Sequence, residues 1–264
     1  MRLEGKIAAV IGAGQTPGHS IGNGRATAIL MAREGAKVML VDSRLESARD
    51  TQKMIEDEGG SAFSFEADIT QEADCREIAA ACVKQYGRID LLHNNVGIGG
   101  GDAGPTHLEE ADWDRIFDVN LKGCFLTCKH VLPVMREQGS GSIVNISSIA
   151  AVCSVGIVAY KTSKAGMNAF TQSLALGNAR HGIRVNAIMP GLMDTPMAIE
   201  GISKARGIDP ETLSRARDAQ VPLGQKMGTA WDVAYASAFL HSDEAKFITG
   251  VILPVDGGQS ARIG

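Results

Sequence analysis

Tyr160 and Lys164 are four residues apart in the stretch Tyr160-Lys161-Thr162-Ser163-Lys164. On a helix that spacing puts both on one face, one turn apart. A phenol beside a fixed ammonium is an acid/base device. Free tyrosine titrates near pH ~10, and an adjacent positive charge favours the phenolate and lowers that value. One short loop upstream lies Val144-Asn145-Ile146-Ser147-Ser148. A hydroxyl from that serine pair can hold the oxygen that gains or loses the proton. Together these groups could move a proton on or off an alcohol oxygen near neutral pH. None of them stores a hydride, so redox chemistry there needs a cofactor. Lys161 reads as an exposed helix residue rather than a second base.

The elements around this stretch look arranged to supply the cofactor. Residues 6–11 form a short apolar run that predicts a buried parallel strand. A glycine-rich loop runs from Gly12 to Gly24, a helix is predicted over 25–33, and a second strand over 37–42 ends in Asp42. In a strand, glycine loop, helix, strand unit the glycines let the backbone approach a pyrophosphate, whose charge the helix N-terminus favours. Asp42 would accept hydrogen bonds from the adenosine ribose and repel a 2′-phosphate, which favours NAD over NADP; the neighbouring Arg44 weakens that preference.

The alternation continues to the end of the chain. Helices are predicted over 46–58, 72–86, 112–138, 159–180 and 230–240, and strands over 61–66, 89–93, 142–146, 183–188 and 248–255. Pro133 should kink the long helix or mark its final turns, and Pro254 should avoid a central ladder position. This pattern predicts one α/β domain over 1–264, with a doubly wound, seven-stranded parallel sheet and helices on both faces. Residues 195–228 break the rhythm with Gly201, Gly207, Pro210 and Pro222, and read as a mobile substrate lid. Met193, Met197 and Met227 could line an apolar pocket there or simply fill core.

The totals narrow the class. The chain has 264 residues, 44% of them hydrophobic, and a formal charge of −4. A mildly acidic balance without a basic run argues against a nucleic-acid partner. No signal pattern or membrane-length apolar run appears. The five cysteines, with no C-x-x-C pair, predict reduced thiols in a cytoplasmic protein. Neither they nor the six histidines show metal-ligand spacing.

Over nearly its full length the chain resembles the short-chain dehydrogenase/reductase family. The motifs run in order: the glycine-rich turn, Asp42, Asp68, Asn94-Asn95-Val96-Gly97, Asn120, Asn145-Ile146-Ser147-Ser148, Tyr160-x-x-x-Lys164, Pro190-Gly191-x-x-x-Thr195 and Val255-Asp256-Gly257-Gly258. The resemblance implies Tyr160 as general acid/base. Lys164 would lower its pKa and hold the nicotinamide ribose. Ser148 would bond the substrate oxygen, and Asn120 would hold a water linking Lys164 to solvent. On the cofactor side it implies Gly12, Ser20, Ile21, Gly22 and Gly24 around the pyrophosphate, and Asp42 on the ribose. Asp68 and Ile69 would meet the adenine, Asn95 the ribose region, and Pro190, Met193 and Thr195 the carboxamide or pyrophosphate. It implies a homotetramer or homodimer. The activity implied is hydride transfer between NAD and a secondary alcohol or ketone, the apolar lid suggesting a cyclic or aromatic-ring alcohol. A 3-oxoacyl thioester reductase using NADPH is the alternative enzyme, and a dinucleotide-binding sensor without turnover the alternative of another class.

Three departures stand out. Gln15-Thr16-Pro17-Gly18-His19-Ser20 is inserted in the usual Gly-x-x-x-Gly-x-Gly turn, with Ser20 a candidate for holding the pyrophosphate. Val96 stands where the family has Ala. The loop from Ser148 to Tyr160 is one residue short, so Ser147 competes with Ser148 for the serine role.

Overall fold

The structure, a computed structural model, describes residues 1–153 and 156–262. Its first half runs β1 Ile7–Ile11, α1 Asn23–Arg33, β2 Lys37–Asp42, α2 Leu45–Asp57, β3 Ser61–Glu66, α3 Glu72–Tyr86 and β4 Leu91–Asn94. Next come α4 Glu110–Phe117, α5 Gly123–Gln138, β5 Gly141–Ile146, α6 Ala159–Asn178, β6 Ile183–Pro190 and β7 Met193–Asp194. The chain closes with α7 Ile202–Arg206, α8 Pro210–Asp218, β8 Gly228–Thr229, α9 Ala230–His241 and β9 Ile252–Val255.

Seven strands form one parallel sheet in the order β3-β2-β1-β4-β5-β6-β9, and β7 pairs with β8 apart from it. The apolar runs Ile7–Ile11 and Val38–Val41 are buried on both faces, as a sheet covered by helices requires. On one face Ile78 and Cys82 of α3, Val131 of α5 and Met167 of α6 join the core. On the other lie Ile29 of α1, Ile55 of α2 and Val233 of α9. Strand order reverses between β1 and β4, and the carboxyl ends there form the crevice where such sheets bind ligands.

Two predicted elements differ. The helix expected over 112–138 is two helices joined by a π turn at Asp118–Lys122, and Pro133 sits inside α5, which runs on to Gln138. The last strand is Ile252–Val255, shorter than 248–255, because Asn186 and Arg184 side chains take the Ile248 carbonyl. Pro254 lies on this edge strand, where a missing N–H costs no ladder bond. Among the described residues no helix is long and apolar enough to cross a membrane.

Between the sheet and α9 two histidines are buried. His93 Nδ1 lies 3.0 Å from Ser237 Oγ and His241 Nδ1 3.1 Å from Ser142 Oγ, with the rings edge-to-face at 6.1 Å. Burial pushes His93 down to about 3 and His241 well below its ordinary value. Unfolded histidine takes up a proton near pH ~6.5, which folded His93 refuses until about 3. Stability is therefore complete above about pH 6.5 and falls as pH drops from there toward 3. At about 1.4 kcal/mol per pH unit, His93 alone removes about 2–3 kcal/mol between pH 6.5 and 4.5. Urea midpoints across that range check this: His93→Gln should decline less steeply than the wild type, and parallel declines would clear His93 of the effect.

Candidate active site

The carboxyl end of β5 and the first turns of α6 bring the serine pair, Tyr160 and Lys164 together. Ser147 Oγ is buried and donates to the Lys164 carbonyl at 3.1 Å, so it is occupied. Ser148 has extended backbone and caps a 3-10 turn, Ile149–Ala151, its Oγ accepting from Ala150 N at 3.1 Å. Of the two hydroxyls it is that of Ser148, not that of Ser147, that acts on the Tyr160 phenol and favours its ionised form.

Lys164 is only 2% exposed, and its Nζ donates to the Ile146 carbonyl at 2.8 Å. A Cβ on Gly97 would stand 2.9 Å from that nitrogen, so glycine there makes room for the lysine. Burial pushes the Lys164 ammonium down to about 8. Its Nζ lies 5.8 Å from the Tyr160 ring centroid. The expectation that Lys164 pulls the tyrosine pKa down is not met in this geometry. Burial raises the Tyr160 phenol, and only the Ser148 hydroxyl opposes the rise. The ammonium spends its short contact on a carbonyl rather than on the phenol oxygen.

Asn120 lies in the π turn and is fully buried. Its Oδ1 accepts from Ile98 N at 2.7 Å, and its Nδ2 donates to Ile98 O and Ser163 Oγ. The side chain thus fastens the loop after β4 above Lys164. The extra residue of a π turn commonly marks a functional position. Two further residues, one unnoticed in the sequence and one expected to be exposed, shape the site. Asp102 accepts from the N–H groups of Val158, Ala159 and Tyr160, at 2.7 Å for the last, which caps α6 at the tyrosine itself. A carboxylate there also suits the positive end of the helix dipole. Lys161 is half-buried and donates to the carbonyls of Ala150 and Cys153, contrary to the exposed position expected of it.

Beneath the site Asn94 Nδ2 donates to Asn145 Oδ1, Asn145 Nδ2 to Thr171, and Thr127 to Asn94. Cys124 and Cys128 join this buried network, and no metal-binding group of His, Cys, Asp and Glu occurs among the described residues.

The crevice on the cofactor side is built by close backbone contacts. Gly12 has φ +80°, and a Cβ there would meet Val96 Cγ2 at 2.9 Å. A Cβ on Gly24 would collide with the Gly12 carbonyl, which also accepts from Asn95 Nδ2 at 3.1 Å. Asp42 Oδ2 accepts from Gly14 N and Oδ1 from Arg44 N. The Arg44 guanidinium is tied to the Gln15 carbonyl at 2.7 Å. Gln15 closes the insertion on itself, its Oε1 accepting from Gly22 N. The insertion also reaches the 195–228 segment: His19 N donates to Glu200 Oε1 at 2.8 Å, and a Cβ on Gly18 would stand 2.7 Å from Pro196 Cβ.

No side chain caps the N-terminus of α1, and the buried Ser20 Oγ and Asn23 Oδ1 have no partner. Uncapped amides, an orphaned hydroxyl and a cradle that any Cβ would fill suit a dinucleotide pyrophosphate. Asp68 lies exposed past β3, its Oδ1 accepting from Thr70. Thr195 is buried at the start of the 195–228 segment, and Pro190 ends β6. The Ile69 side chain fills the space over Gly123, Ile21 packs with Trp231, and Met193 lies in the core beside Ile188. Met227 is also core, whereas Met197 is half exposed.

The family model described as enoyl-(acyl carrier protein) reductase matches residues 17–260. The chain belongs to the short-chain dehydrogenase/reductase family. It is 39% identical over 260 residues to the 3-oxoacyl-[acyl-carrier-protein] reductase FabG of Thermotoga maritima, covering 98% of this chain and 99% of that one. It is 38% identical over 245 residues to the cis-4-hydroxycyclohexanecarboxylate dehydrogenase of Sinomonas cyclohexanicum, covering 92% and 94%. Levodione reductase of Leifsonia aquatica is 36% identical over 249 residues, with 92% of each chain covered. The crystal structure of levodione reductase superposes with a TM-score of 0.93 over 99% of this chain and 100% of that one, at 33% identity. The chain is thus an oxidoreductase of this family, acting on a small molecule with a nicotinamide dinucleotide.

Proposed function

We propose that the protein is an NAD-dependent dehydrogenase of secondary alcohols carried on a ring. The observation that carries the reading is the convergence of Ser148, Tyr160 and Lys164 at the crevice, with Asp42 on its adenosine side. A bound nicotinamide supplies the hydride acceptor. The Ser148 hydroxyl holds the alcohol oxygen; its Oγ accepts from Ala150 N, which leaves its proton free to donate. Tyr160, ionised to the phenolate, takes up the alcohol proton at its oxygen and becomes the neutral phenol. Lys164, a buried cation on the same helix face, holds the cofactor ribose. Asp42 accepts from the ribose hydroxyls through the lone pairs its two backbone bonds leave free.

The cyclic substrate is supported by a relative at 38% identity whose name is that of a hydroxycyclohexane dehydrogenase. It is also supported by the half-exposed Met197, which stands among the apolar Pro196, Ala198, Ile199 and Ile202. The 39% identity to a 3-oxoacyl thioester reductase favours a second reading, reduction of such thioesters with NADPH. One experiment separates them. Cyclic secondary alcohols are offered with NAD, and 3-oxoacyl thioesters with NADPH, while the absorbance of reduced cofactor is followed. Turnover of cyclic alcohols with NAD is the expected result, and turnover confined to thioesters with NADPH replaces it. A homodimer or homotetramer is in keeping with the exposure of Phe125 and Phe247.

A further inference from the structure

Lys161 has no part in the proton chemistry described above, yet its ammonium is committed to one task. It sits in the first turn of α6, beside Tyr160, and donates to the carbonyls of Ala150 and Cys153. Those carbonyls lie in and just beyond the 3-10 turn that Ser148 caps. Within that turn Ala150 N donates to Ser148 Oγ, Ala151 N to Ser148 O, and Cys153 N to Ile149 O at 2.8 Å. The turn is short, and short 3-10 pieces have poor internal hydrogen-bond geometry. A cation at the carboxyl end of such a turn satisfies carbonyls that have no donor within it. Ser148 lies just past β5 and Tyr160 in the first turn of α6, so an ammonium fixed to α6 that grips the turn sets one catalytic group against the other. The Tyr160 phenol responds to burial and to the Ser148 hydroxyl.

We propose that Lys161 is a positioning residue that holds the Ser148 turn against the tyrosine helix, so that the Ser148 hydroxyl meets the Tyr160 phenol and the substrate oxygen. This rests on the assignment of Ser148 and Tyr160 given above. Without the ammonium, two carbonyls lose their donor, the turn opens, and the Ser148 hydroxyl swings off line. A misplacement of that size near the chemistry costs about 10- to 100-fold in rate. The substrate and cofactor surfaces are otherwise untouched, so the loss falls on kcat.

The test compares the wild type with Lys161→Met, Lys161→Arg, Ser148→Ala and the Ser148→Ala/Lys161→Met double variant. Steady-state kinetics, dinucleotide binding and amide hydrogen exchange over residues 149–153 are measured on each. Lys161→Met should lower kcat about 10- to 100-fold, with KM and the dinucleotide Kd within about twofold. Arginine, which keeps the donors, should recover most of the loss. In the Ser148→Ala background the methionine should cost nothing further, because Lys161 acts through that hydroxyl. Exchange over 149–153 should quicken in Lys161→Met. An unchanged kcat, an equal loss in both backgrounds, or unchanged exchange each overturns the proposal. Should the methionine variant fail to fold, Lys161→Gln, with a shorter neutral donor, is measured in its place against the same outcomes. A wild type that turns over neither substrate class overturns the proposed function instead, and the exchange measurement then judges the brace by itself.

Discussion

Tyr160→Phe lowers kcat for the alcohol by about a thousandfold and leaves the dinucleotide Kd unchanged; this is the expected result, within the usual span for loss of a general acid or base. The substitution deletes one oxygen and keeps the ring. The ring edge lies against Gly99, where a Cβ would stand 3.4 Å from Cδ2, so the packing survives. The backbone N–H held by Asp102 also survives, and α6 keeps its start. Lys164 retains the Ile146 carbonyl, which does not depend on the phenol. What disappears is the acceptor for the alcohol proton and the partner of Ser148. Lys164→Met is the informative contrast. It removes a buried cation and leaves the Ile146 carbonyl without that donor, so dinucleotide affinity and kcat should fall together. Single-turnover rates with equilibrium titrations of the dinucleotide check both variants. A Tyr160→Phe protein that keeps full activity sinks the mechanism.

The sheet and the catalytic pair were legible because their signals are local. Apolar runs such as 37–42 end at chemistry-bearing residues, and Tyr160 and Lys164 meet through helical spacing alone. The residues that were missed act through main-chain partners far away in the chain. Asp102 caps α6 from 58 positions before Tyr160, and a carboxylate in a glycine-rich loop carries no mark of the helix it will cap. Lys161 reads as a surface residue because its acceptors are carbonyls, which any sequence supplies. The π turn at Asp118–Lys122 was invisible since the apolar periodicity of its flanks continues through it. The tyrosine pKa was misjudged for a related reason. Spacing predicts that Lys164 is near, but only the packing shows that its ammonium is turned to the Ile146 carbonyl and that burial governs the phenol. The insertion after Gly14 resisted reading because it is held by Gln15, Ser47 and Glu200, the last 181 positions from its partner His19.

Asp42→Asn is expected to raise affinity for NADP about a hundredfold while lowering that for NAD a few-fold. Two unit charges about 4 Å apart repel by about 4 kcal/mol at the effective dielectric near a protein surface. The Asp42 side chain is 12% exposed, so part of that repulsion against a 2′-phosphate is screened. A remainder of about 2.7 kcal/mol corresponds to the hundredfold. Asparagine keeps the volume and one acceptor, so one of the bonds from Gly14 N and Arg44 N is retained and the loop stays in place. Arg44 does not neutralise the effect in the wild type. Its guanidinium is held by the Gln15 carbonyl, and its Nε stands 4.0 Å from Asp42 Oδ1, too far for a strong pair. Once the carboxylate charge is gone, the same guanidinium lies near enough to attract a 2′-phosphate, which adds to the gain. Fluorescence titrations of NADH and NADPH against both proteins decide the matter. If the wild type already prefers NADPH, or the variant gains nothing for it, Asp42 is not the selector, and the insertion that carries Gln15 and Ser20 becomes the element that chooses the cofactor.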